Sequence, residues 1–126
     1  MALLYRAMIR DADGAPAIGN SARELGIRLV LDIEVDDESM VEPLTGGMSV
    51  SHEVEYLPAH RRPRDHGGTG PDPLWVIDEE SLVEGLVRRD DHELEGHAFV
   101  EPAWRMRLDD YEDLLALTRD DWRIHA

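Results

Sequence analysis

Apolar and polar positions alternate over LLYRAMI, residues 3–9, placing Leu4, Arg6 and Met8 on one face of a predicted strand and Tyr5, Ala7 and Ile9 on the other. RDADGAPAIG, with Asp13-Gly14 and Pro16, reads as a turn-rich loop. SARELG, 21–26, carries a capping box: Ser21 as N-cap, Glu24 at the third position after it, and Gly26 placed to end a helix. IRLVLDIEV, 27–35, is apolar enough for a second strand, with an acidic tail that also suits the start of a loop. Residues 36–47 are loop, closing on Gly46-Gly47. In MSVS, 48–51, Met48 and Val50 alternate with Ser49 and Ser51, a short strand with one apolar face and one hydroxyl face.

The long irregular stretch 52–73 exceeds the length at which a loop is usually plain connection. Beyond it LWVID, 74–78, reads as a buried strand, and a short helix is predicted from the Asp78 cap onward. LVRRD suits an edge strand. HAFVEPA, 97–103, alternates His97, Phe99 and Glu101 against Ala98 and Val100. From Leu108 to Trp122 the apolar spacing is helical, with acidic residues at the start and Arg119 and Arg123 near the end, as the helix dipole favours. The elements add up to a small single α+β domain spanning 1–126, with five or six short strands and two or three helices.

Composition narrows the chemistry. At 126 residues and 42% hydrophobic, the chain has material for one core, and no apolar run reaches the ~20 residues of a membrane helix. Arg6 interrupts the apolar N-terminal run, against the plan of a signal peptide, so a soluble, cytoplasmic protein with no membrane partner is expected. There is no cysteine and no lysine, which excludes thiolate nucleophiles, Schiff-base chemistry and a P-loop lysine. The net charge of −15 argues against nucleic acid as a bulk partner and favours solubility or a basic protein partner. The six histidines show no close metal-ligand spacing, and SVS lacks the glycines of a nucleophile elbow. His60 and His66 with Asp65 or Asp72 offer at most a loop acid–base pair.

Three strands place a polar group where an apolar one is expected: Arg6, the pair Ser49 and Ser51, and Glu101. Each has a plain reading, as a snorkelling arginine, solvent-facing serines or a strand-end charge before Pro102. Together and in order they resemble the Arg–Ser–Glu sequence of ADP-ribosyltransferases. LLYRAM, TGGMSVS and AFVEPAWRM before a C-terminal helix are similar to the small ADP-ribosyltransferase-like toxins delivered by bacterial type VI secretion systems. The likeness rests on three short blocks spread over most of the chain. Glu101 corresponds to a residue of the wider superfamily, and the acidic charge and the HRRPRDHGGTG loop depart from the toxins' pattern.

The resemblance implies a split, mixed or antiparallel sheet, NAD as substrate, and a cognate immunity or antitoxin protein as partner. Breaking the nicotinamide–ribose bond builds positive charge on the sugar, which an ionised carboxylate at Glu101 would stabilise. Arg6 would bind phosphate or ribose oxygens, Ser49 would orient Glu101, and Ser51 would steady the strand beside it. Tyr56 is a candidate to stack on nicotinamide. Arg61 and Arg62, in the HRRPRDHGGTG loop, are candidates for the pyrophosphate, with the loop glycines opening backbone N–H groups to it. The same loop also has a plainer reading, as a basic island paired internally or exposed to solvent, and a further one as a partner-docking element. A non-catalytic acidic binding module, immunity-like or regulatory, is the competing functional class.

Overall fold

The computed structural model describes residues 2–126. In chain order its elements are β1 (Leu3–Ala7), β2 (Met40–Val41), β3 (Met48–Ser51), β4 (Leu74–Asp78), β5 (Leu86–Asp90), β6 (His97–Pro102), β7 (Met106–Arg107), α1 (Leu108–Leu117) and β8 (Arg123–Ile124). Six strands form one antiparallel sheet in the order β5-β6-β3-β1-β4-β8, and β2 pairs with β7 in a small second ribbon. The architecture is mixed α+β, with a single α-helix among the described residues.

The alternation read from β1, β3 and β6 sets the faces. Leu4, Met48, Val50, Ala98 and Val100 are all 2% exposed or less and share the core side with Ile77 and Trp75 of β4. Helix α1 covers that side with Tyr111 and Leu115, one turn apart, and Trp122 follows from the segment beyond it. Asp109 and Asp110 occupy its first turn, where the dipole favours negative charge, and Leu108 N–H is taken by Ser39 C=O (2.9 Å).

Two expected elements do not form. SARELG makes no helix: Ser21 Oγ accepts from Arg23 N–H (3.2 Å), and Leu25 N–H bonds Ala17 C=O (2.7 Å) instead of a helical carbonyl. Six residues are too few to nucleate a helix against such long-range competitors. The stretch 27–35 is a series of turns, not a strand. Asp32 closes a loop on Arg28, its carboxylate accepting the Arg28 backbone N–H (2.6 Å) and side-chain Nη2 (2.8 Å), and Val30 sits at φ 69. Ile27 and Ile33 are fully buried in the core, and Val35 packs against it half-buried. The helix predicted after Asp78 is one 3-10 turn, Glu79–Ser81, although the Asp78 side chain does cap it at Glu80 N–H. Arg119 lies past the end of α1 and reaches Asp13 and Pro16 C=O instead.

Candidate functional site

Strand β3 is bordered by β6 and β1, and the two borders differ. With β6 it pairs at four successive positions, Met48 to Ser51 against Val100 to His97; with β1 it pairs only at Ser51, opposite Tyr5. Beyond that pair the strands part, and a cavity of about 300 Å³ opens beside the gap. Entry into β3 is a tight backbone passage at Gly46, whose φ of 122 is left-handed and whose added Cβ would stand 2.1 Å from Asp32 C=O.

Arg6 occupies the split. It is 7% exposed and faces inward with Leu4. Its guanidinium donates from Nη1 to Ser49 C=O (2.8 Å), from Nε (3.2 Å) and Nη2 (2.8 Å) to Glu24 C=O, and more distantly to Gly26 C=O. The Ser49 carbonyl, an acceptor on the unzipped edge, thus takes its bond from a side chain. Among the described residues no carboxylate forms an ion pair with Arg6. Burial pushes its pKa down to about 10, and nearby Arg61 adds to the shift, while Asp32 acts in the opposite direction.

Ser49 and Ser51 line the same cavity, and among the described residues neither hydroxyl has a hydrogen-bond partner. The opposite wall comes from residues 56–61. Tyr56 stands at the rim, 42% exposed, with its hydroxyl donating to Glu95 (3.3 Å), whose charge raises the phenol's pKa. Its ring lies against Gly96, where φ is 74 and an added Cβ would fall 2.1 Å from the ring. Arg61 lines the cavity but is largely committed: Nη2 donates to Ala7 C=O and Ala22 C=O, both at 2.7 Å, and Nη1 stands 3.5 Å from buried Asp72. Its pKa is lowered, chiefly by burial.

The site brings together Arg6, Ser49, Ser51, Tyr56 and Arg61, and leaves out Glu101 and Arg62. Glu101 is 3% exposed, and its Oε2 accepts from Arg89 Nε and from Leu44 N–H, both at 2.9 Å. It makes no bond with Ser49, which therefore does not orient it. Arg62 lies off the cavity, half-buried, with Nε unpartnered. The glycine cluster presents no open amides: Gly67, Gly68, Thr69 and Gly70 N–H donate to carbonyls of Arg64, Pro63, Ala59 and Arg62. The loop is an internally bonded unit.

Sequence reasoning missed Asp32, the one carboxylate residue lining the cavity among the described residues, because its segment was read as a strand. It also passed over His97, which lines the cavity and bonds Asp91 through Nδ1 (2.9 Å). The alternation in HAFVEP put His97 on the face of Ser49 and Ser51, and that was the available signal. Comparison with protein-family models, characterised proteins and solved structures finds no match, so the geometry stands alone.

Proposed function

We propose that the cavity at the β1–β3 split binds NAD and that the domain is an ADP-ribosyltransferase-like or NAD-hydrolysing bacterial toxin. One observation carries the reading. In a chain of net charge −15, Arg6 is buried without a carboxylate, and its pKa is depressed to about 10. A buried cation satisfied only by carbonyls is costly, and an anionic ligand offsets that cost. The free hydroxyls of Ser49 and Ser51 suit a ribose or phosphate, and the Tyr56 ring at the rim suits a flat heterocycle. The volume lies at the small end of the ~300–1,000 Å³ typical of small-molecule sites.

In the reaction the ribose–nicotinamide C–N bond breaks, nicotinamide leaves with the electron pair, and water or an acceptor side chain adds to the sugar carbon. The positive charge that builds on the ribose calls for a nearby carboxylate. Asp32 lines the cavity and is the candidate, whereas Glu101 lies off it, paired with Arg89. The test is nicotinamide release from NAD together with growth arrest on expression in bacteria. Activity that falls at least about tenfold in Arg6→Lys and Asp32→Asn while persisting in Glu101→Gln is the expected outcome. No NAD binding by the folded protein overturns the reading.

A second reading, a non-catalytic binding module, is favoured by the Asp32–Arg28 ion pair at 2.8 Å, which leaves no unpaired carboxylate in the cavity. Tight NAD binding without nicotinamide release, and without toxicity, is its signature.

A further inference from the structure

The hairpin of loops from 29 to 45 has an outer surface that the core does not use. Leu29, Val30 and Leu31 are 49%, 78% and 74% exposed, and Leu44 on the other arm is 75% exposed. The arms are held side by side by Glu34 N–H to Thr45 C=O (3.2 Å) and Gly47 N–H to Asp32 C=O (2.8 Å). Between them lies a groove of about 390 Å³ lined by Val30, Val35 and Met40 together with Glu34, Asp36 and Glu42. Val30 and Leu44 both have φ 69, a left-handed conformation that glycine or asparagine adopts far more readily. A β-branched valine there is a strained way of presenting an apolar side chain to water.

Charge identifies what fits. Residues 29–45 hold six acidic side chains and no basic one. Arg105 reaches in from outside and covers Asp36, Glu38 and Glu42, and among the described residues Glu34 and Asp37 have no ionic partner. An acidic rim around an apolar groove is repelled by an anionic lipid surface and by a second copy of itself. We propose that this hairpin is the docking surface for a basic protein segment carrying apolar side chains. It stands independently of what the β1–β3 cavity binds. It also touches that cavity: Arg28 and Asp32, which flank the exposed triplet and clasp each other, line the cavity from their inner side. A partner gripping Leu29–Leu31 therefore bears on two residues of the cavity lining.

The probe is a synthetic peptide of Lys, Leu and Ser, titrated into isotope-labelled full-length protein and followed by amide chemical shifts. Matched peptides replace Lys by Glu or Leu by Ser. The expected result is saturable shifts concentrated in 29–45, weakening with added salt, and absent with either control peptide. Val30→Gly relieves the strained backbone and removes the side chain, so it raises the melting temperature while weakening peptide binding roughly tenfold. Leu31→Ser weakens it to a similar degree. Shifts centred elsewhere, or unchanged binding in Val30→Gly and Leu31→Ser, overturn the proposal. So do self-association of the free protein through this hairpin and preferential binding to phosphatidylglycerol vesicles.

Discussion

Along its β6 edge β3 pairs residue for residue, whereas along its β1 edge it pairs at one position and then opens. Each edge has a side chain inserted into its backbone hydrogen bonding. On the closed edge the Tyr111 hydroxyl donates to Val100 C=O and accepts Met48 N–H (3.1 Å), bridging residues that face each other across the ladder. On the open edge Arg6 does the corresponding work for Ser49 C=O. The neutral group has both partners, is fully buried, and becomes part of the core; burial pushes its ionisation up. The charged group is buried without an ion-pair partner among the described residues, and a cavity lies beside it. Glu101 makes the same contrast from the acidic side: it is as buried as Arg6 but has Arg89, and it does not line that cavity. The location of a candidate site follows from which buried charge is left uncompensated.

That contrast can be broken at its closed edge first. Tyr111→Ala removes a fully buried ring and both bridging bonds, and is expected to cost ~3–5 kcal/mol in urea denaturation. Tyr111→Phe, which leaves only Met48 N–H and Val100 C=O unsatisfied, should cost ~1–3 kcal/mol. Equal losses in the two variants would show that the hydroxyl bridge contributes everything and ring packing nothing.

At the open edge Arg6→Met strips donors from the carbonyls of Glu24, Gly26 and Ser49, at about 2–3 kcal/mol. The loss stays below that of Tyr111→Ala because water in the cavity can reach part of the gap. The pH dependence sharpens the point. Burial holds the pKa of folded Arg6 at about 10, which opens a window between that value and the higher, ordinary arginine range. In that window the unfolded chain binds more protons, so the contribution of Arg6 to stability rises with pH. It is complete above the unfolded value and lost as pH falls through about 10. The difference between wild-type and Arg6→Met stability, followed from neutral to alkaline pH, should carry that rise. A flat difference would mean Arg6 is not a desolvated cation.

Smaller effects separate the two charges. Glu101→Gln leaves Arg89, itself a quarter exposed, without its counter-charge and should cost ~1–2 kcal/mol with NAD affinity unchanged. Ser49→Ala and Ser51→Ala should move stability by less than ~0.5 kcal/mol, since neither hydroxyl has a partner to lose. Each should weaken NAD binding about fivefold by isothermal titration, the loss of one neutral hydrogen bond. A large stability loss from either serine variant would place its hydroxyl in the fold instead of the site.

The sheet strands were legible in the sequence through alternation, where a core lies on one face, or through an unbroken apolar run, where the strand is buried on both. Met48-Ser49-Val50-Ser51 and Leu74–Asp78 carry the expected limits. Of the site, Arg6, Ser49 and Ser51 were legible as polar breaks in that alternation. What was not legible lies between residues 21 and 35. There the competing forces are distant: the guanidinium of Arg6 takes Glu24 and Gly26 carbonyls, and the 45–47 turn fixes where Ile33 enters the core. Local propensity at Ser21 and Glu24 has no information about an arginine at position 6, and the apolar triplet at 29–31 mimics a strand although it faces water. β8 and the β2–β7 ribbon, of two residues each, are too short to leave a pattern.

The fork of Arg6 joins segments separated by 18, 20 and 43 residues. Each loop so closed is held there by only one or two bonds from a side chain, where the sheet's ladders hold theirs with successive backbone pairs. The amides of residues 22–28 should then exchange with solvent through an opening that leaves β3–β6 intact, below the energy of global unfolding. An anion seated on the guanidinium would draw it away from those carbonyls or fix it against them. Exchange protection at residues 22–28, remote in sequence from the serine strand, is therefore a direct reporter of whether the cavity is filled.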